Sequence, residues 1–354
     1  MTRCLHTHWL SLRRQDGEAA LLESDRLRSL TADLPYPESQ RPSLFVLVGN
    51  KEKSAALKAA FGVKRARNVP LPLGSRIGGV HLHIDPSSVF SDRPILLAEH
   101  NIHEQVPNAK RATSPKCHEI VRRVLRRAES EISDVYPQLL YPFADVFCLF
   151  VADFGGLGAV ARFLARWLDQ DRPPASPRSV LPSVVVVADE PLTTANGREE
   201  ARRAVLLAIR EETSKDLLEH VAAIDVLGLL PRNQVSAATR YRHVRDRLLR
   251  SSDQARRGRA DVRMLFSATH LAAFIRSASA HFADAVDEPF DFVKASRMHN
   301  PVAPQLDEHL SNFLTQITSS SQLFEFAAPM VASALFLDSY PPGAHGKWAS
   351  CWGV

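Results

Sequence analysis

The chain has 354 residues, 45% of them hydrophobic and 23% charged, with a formal net charge of +5. That balance excludes a disordered polypeptide, and the length suffices for a large buried core, most simply in two structural units. Four scattered cysteines with no CxxC pair exclude a disulfide-stapled scaffold and fit a reducing compartment, with Cys148, inside an apolar run, as a buried thiol.

The first residues form no continuous apolar segment of the signal-peptide kind, and no apolar run approaches the roughly 18 residues a membrane helix needs. A soluble, cytoplasmic protein without a transmembrane segment is expected.

Residues 1–42 read as an extension: a short amphipathic helix around Glu18 to Leu30, then a proline-bearing linker from Pro35 to Pro42. Leu44-Phe-Val-Leu-Val48 is too short for a helix and rich in β formers, which predicts a buried strand broken at Gly49. A helix follows from Lys53 to Phe61, closed by Gly62. Val80 to Ile84 alternates and reads as an edge or half-buried strand, and Ile95 to Ala98 as another. The apolar residues Ile120, Val121, Val124, Leu125 and Ala128 share one helical face, which predicts a helix from about Pro115 to Ser133.

Val146 to Val151 is a third central strand, followed by a glycine turn and a helix from Ala159 to Leu168. Past a surface loop at 171–178 come a strand from Ser183 to Ala188, a helix from about Arg198 to Leu218, and a strand from Ala223 to Leu229. Strands alternating with helices predict a layered, mostly parallel α/β sheet of the P-loop-NTPase-like type over residues 43–234. Beyond it lies a helical region, 235–340, ending in two helices between Leu306 and Leu337. Residues 341–354 have no periodicity and read as an unstructured tail.

Gly49-Asn50-Lys51-Glu52-Lys53-Ser54 lies where a phosphate loop belongs. A strand ends in glycine, and a Lys-Ser pair opens a helix, so Gly49, Asn50, Lys51, Lys53 and Ser54 are the candidate phosphate-binding residues. The full GxxxxGK[ST] pattern is absent: Glu52 stands where the second glycine should be, the loop is about two residues short, and an acid opposes a phosphate. The plain alternative is a strand-to-helix turn with solvated charges. Asn50 to Lys53 also matches two of the three fixed positions of the guanine-reading NKxD motif, but on the first strand and with Lys in place of Asp.

Asp153-Phe-Gly-Gly156 after a central strand fits DxxG, in which the carboxylate holds Mg²⁺ through water. Asp153 and, in competition, Glu99 are therefore the candidate metal-side acids of an ATP or GTP site with Mg²⁺. The same turn, Gly156-Leu-Gly158-Ala-Val-Ala161, fits GxGxxA, but the acid that should confirm a dinucleotide site, Asp189, comes about 30 residues on, past the proline loop. The 14 histidines form no metal spacing, and neither HExxH nor the GxSxG serine elbow occurs, so no catalytic residue is assigned.

Between Arg240 and Arg263 nine arginines face three aspartates, which accounts for the net charge. Arg240, Arg242, Arg245, Arg247 and Arg250 are the candidate contacts for an anionic lipid surface or a protein partner. The scarcity of aromatic residues there argues against nucleic acid.

Five blocks, taken in order, carry a family resemblance: Phe45 to Leu57, Arg93 to Glu99, Tyr141 to Phe150, Asp153 to Leu157, and Phe326 to Pro342. Together they resemble the N-terminal region of large fungal proteins in which a P-loop-NTPase-like segment precedes a patatin-like phospholipase domain. The resemblance spans about residues 40–342. It implies a regulatory or interaction module with a degenerate nucleotide site, belonging to a lipid-hydrolase-associated protein. The patatin glycine loop and serine elbow are absent, and the chain's one Asp-Gly pair, Asp16-Gly17, precedes the resembling blocks instead of following them, so no catalytic residue carries over. The change of character after Pro342 reads as a truncated or mis-joined frame, which transcript sequencing across that point tests.

Overall fold

The computed structural model describes residues 6–15, 18–63, 79–102, 118–125, 135–170, 177–192, 194–284, 289–297 and 305–338. The expected 341–354 tail and three of the four cysteines, Cys4, Cys117 and Cys351, lie outside them. The chain divides into two compact units, Met1–Phe292 and Val293–Val354.

The strands of the first unit are β1 (His8–Gln15), β2 (Glu18–Ser24), β3 (Ser43–Gly49), β4 (Val80–Ile84), β5 (Ile95–Asn101), β6 (Ile120–Val124), β7 (Val146–Phe150), β8 (Ser183–Ala188) and β9 (Ala223–Gly228). They form one nine-stranded sheet in the order β6-β2-β1-β4-β5-β3-β7-β8-β9. The sheet is mixed. Five strands, β5-β3-β7-β8-β9, run parallel. The other four, β6-β2-β1-β4, are joined by antiparallel pairing.

Three sequence expectations change here. The supposed helix at Glu18 to Leu30 is β2 followed by the short helix α1 (Arg26–Ala32), so residues 8–24 extend the sheet as a hairpin. The described part of the supposed 115–133 helix is β6, paired from Ala20↔Val124 to Ser24↔Ile120. A hydrogen-bonding partner strand overrides an apolar spacing that also fits a helical face. Val80 to Ile84 is interior, because β1 covers the side that the sequence left as an edge.

Two cores lie on opposite faces of the sheet. On one, Phe45, Leu47, Val146, Cys148, Phe150, Val185 and Val187 meet α2 (Lys51–Phe61) and α8 (Ala237–Asp261). On the other, the alternate residues Leu44, Val46, Val48, Phe147, Leu149, Val184 and Val186 meet several helices. These are α1, α3 (Val135–Leu140), α5 (Leu157–Gln170), α6 (Ala195–Glu212), α7 (Leu217–His220) and α9 (Ala268–Ala283). Burial on both faces is why the parallel strands read as continuous apolar runs rather than alternating ones. Between β7 and α5 a single turn, α4 (Val151–Phe154), ends at Gly155 and Gly156, both at positive φ.

In the second unit, α11 (Leu306–Thr315) precedes a helical run made of α12 (Ser320–Gln322), a π turn (Leu323–Ala327) and α13 (Ala328–Asp338). The short α10 (Phe292–Ser296) begins at the boundary between the units. Among the described residues no helix is long and apolar enough to cross a membrane.

Candidate functional site

In an open parallel sheet, ligands collect beyond the carboxyl ends of the strands, where successive connections leave in opposite directions. Here β3 connects towards β5 on one side, while β7 connects towards β8 and β9 on the other. The crevice between β3 and β7 therefore has the Gly49 loop on one flank and Asp153 on the other.

Asp153 fills the loop. Its Oδ2 accepts from the backbone N–H of Asn50 at 2.7 Å and of Lys53 at 2.9 Å, and its Oδ1 accepts from Glu52 N–H at 2.9 Å. These are first-turn amides of α2, which no intrahelical carbonyl satisfies and which a bound anion would otherwise take. Asn50, the residue before α2, makes no side-chain cap; its Oδ1 instead accepts from Ile102 N–H at 3.2 Å. Asp153 thus caps α2 from across the crevice.

The Lys53 ammonium is equally committed. It is fully buried, donates to His100 O at 2.9 Å and Asn101 Oδ1 at 2.5 Å, and pairs with Glu99 Oε1 at 3.2 Å. Ser54 Oγ donates back to Asn50 O at 2.8 Å and meets Glu99 Oε1 at 3.3 Å. Glu99 Oε2 lies 3.2 Å from His83 Nε2. Burial works to raise the Glu99 carboxyl, but the His83 hydrogen bond and the Lys53 charge outweigh it and hold its pKa well below the ordinary carboxylate range. Of the candidate phosphate binders, Lys51 alone is exposed.

Glu52 is where the sequence reading needs correction. Its carboxylate does not occupy the phosphate position; it turns away into a buried pocket beneath α8. There Arg240 Nη2 donates to Oε1 at 3.1 Å, Tyr241 Oη donates to the same oxygen at 2.5 Å, and Arg232 pairs with Oε2. Arg240 Nη2 also reaches Asp189 Oδ1 at 2.6 Å, so the acid weighed for a dinucleotide ribose serves an ion pair instead. Burial and the neighbouring Glu52 carboxylate push the Tyr241 phenol up to about 12. The negative charge at the phosphate position is that of Asp153, one hundred residues away in sequence from Lys53.

The arginine run is mostly spent inside the molecule. Arg240 is buried in the Glu52 network. Arg245 donates to Ala60 O at 2.6 Å, pairs with Asp85 at 2.9 Å and lies over the Phe61 ring. Arg247 pairs with Asp225. Arg259 is buried against Asp145 at 2.8 Å and donates to Phe143 O and Ala144 O. Of the five candidate surface contacts, Arg242 and Arg250 alone are exposed. The signal was readable: Tyr241, Val244, Leu248 and Ala255 recur at helical spacing within the arginines and mark the buried face.

No group of three or more His, Cys, Asp or Glu side chains suited to a metal ion assembles among the described residues. Asp153 and Glu99, the two candidate metal acids, do not converge on a shared position: one caps α2, the other holds Lys53 and His83. Neither a protein-family model nor a curated protein matches this chain.

Proposed function

We propose that the chain is a degenerate nucleotide-binding-like module acting by regulation or interaction rather than by hydrolysis. The observation that carries this reading is the Asp153 carboxylate on the amides of Asn50, Glu52 and Lys53. A triphosphate entering this loop has to expel that carboxylate and also draw Lys53 away from Glu99. Separating a buried ion pair costs about 3–5 kcal/mol when one partner is left uncompensated. The module's place in a patatin-like, lipid-hydrolase-associated protein rests on the sequence resemblance alone.

A second reading, a Mg²⁺-dependent ATPase or GTPase, draws support from the adjacency of Lys53, Ser54 and Glu99 at the strand ends. In it Lys53 would meet phosphate and Ser54 the metal, after Asp153 had moved. Thermal melting of the purified protein with ATP or GTP, with and without Mg²⁺, separates the two. An unchanged transition at millimolar nucleotide supports the degenerate module; a Mg²⁺-dependent rise at micromolar nucleotide supports the enzyme.

A further inference from the structure

At the far side of the sheet from the Gly49 loop, α1 and α9 stand over β2 and β6 and leave a cavity of about 670 Å³. That lies within the roughly 300–1,000 Å³ of small-molecule sites. Leu27, Val121, Ala272 and Ala273 supply apolar wall. Glu23 also lines it, and the position is unusual. Along β2 the residues Ala19 and Leu21 point into the core on this face, and Glu23 continues their row with a carboxylate.

Glu23 is only 8% exposed, and its Oε2 is buried and makes no hydrogen bond. The nearest cation, Arg123 Nη2 on β6, is 3.6 Å from that oxygen, too far for a good bond. Burial raises the carboxyl's pKa, and the Arg123 and Arg276 charges together with hydrogen bonding from Ser279 and Arg123 lower it without offsetting burial. Around the rim, Asp25, Glu38 and Glu119 outnumber Arg28 and Arg276, and Arg28 is already paired with Glu119 at 3.2 Å. The Glu23 carboxylate is thus ion-paired with Arg123, but its Oε2 has no close hydrogen-bond donor, and such an oxygen carries a desolvation cost that an incoming donor reduces.

We infer that this cavity is a binding site for a small organic cation, an amine with an apolar body, whose charged nitrogen meets Glu23 Oε2. The walls take the apolar part, and the acidic rim favours positive ligands over negative ones. This inference does not depend on the state of the Gly49 loop.

The test is titration of the whole chain, followed by thermal shift and calorimetry, with phenylpropylamine, phenylpropionate and phenylpropanol. These three probes share an apolar body and differ in charge. The amine is expected to bind, with the carboxylate and the alcohol weaker by about tenfold or more, the worth of one charge-assisted hydrogen bond. Glu23→Gln, checked for a cooperative melt, should lose at least that factor for the amine. Should Glu23→Gln fail to fold, Ala272→Phe, which fills the cavity from α9, should abolish amine binding. Equal binding of the three probes, absence of amine binding at millimolar concentration, or amine affinity unchanged in either folded variant would overturn the assignment.

Discussion

Gly49 and Asp153 are fitted to each other: a Cβ built on Gly49 would lie 2.6 Å from Asp153 Oδ2, so the carboxylate reaches the α2 amides only because residue 49 has no side chain. The glycine that sequence patterns associate with phosphate here admits an internal anion. Gly49→Ala should push Asp153 off the cradle and cost about 1–3 kcal/mol, as overpacking does. Urea unfolding monitored by circular dichroism measures it.

Asp153→Ala removes the acceptor from three helix amides. Each hydrogen bond to a charged group contributes about 1.5–3 kcal/mol, and water recovers part of that, so a net loss of about 3 kcal/mol is expected. The emptied cradle should then answer to anions. Pyrophosphate at millimolar concentration should raise the melting temperature of Asp153→Ala more than that of the wild type, and an equal response would place the Asp153 carboxylate outside the anion position.

The arginines of α8 should separate into two classes. Arg240→Ala removes the buried cation beside Glu52, leaving it Tyr241 and the exposed Arg232, and should cost about 3 kcal/mol. Arg242→Ala and Arg250→Ala alter exposed side chains and should stay within about 0.5 kcal/mol. Binding to anionic liposomes, if it occurs through this helix, should fall in the latter pair and not require the former. Sedimentation over a salt series reads that difference.

Acid should destabilise the first unit well before ordinary carboxylates titrate. Desolvation by burial is the largest cause lowering His8 to about 3, His81 to about 4 and His100 to about 3, against 6.5 in the open chain. Between those values the unfolded chain binds more protons than the folded one. Stability is therefore complete above pH 6.5 and declines as pH falls towards 4, by as much as about 1.4 kcal/mol per pH unit for each histidine. The depressed Glu99 carboxyl adds a loss in the same direction below about pH 4.5. Glu23, raised by burial, opposes it weakly between 4.5 and its folded value. Melting temperature against pH should fall from pH 7 to pH 5; a flat profile would contradict the burial of these rings.

Much of the parallel half of the sheet was legible because its strands are short apolar runs bounded by turns. Leu44 to Val48, Val146 to Phe150, Ser183 to Ala188 and Ala223 to Gly228 all lie in strands, and Gly62 closes α2 in the left-handed conformation. The antiparallel half was not, because Glu18 to Ser24 and Ile120 to Val124 take their conformation from each other across the sheet. At the site, the sequence singled out Lys53, Glu99 and Asp153 as reactive groups. It could not show that their partners were already within the chain, since Asn50 and Asp153 are 103 residues apart. Nor could it show that Glu52 points away from the loop, which depends on the packing of α8 against α2.

The central claim, that the loop is closed to nucleotide by its own carboxylate, is tested most directly by isothermal titration of the wild type and Lys53→Ala with ATP and GTP in the presence of Mg²⁺. The account predicts no saturable heat below millimolar nucleotide in either protein. Micromolar, Mg²⁺-dependent binding by the wild type that disappears in a folded Lys53→Ala would contradict it.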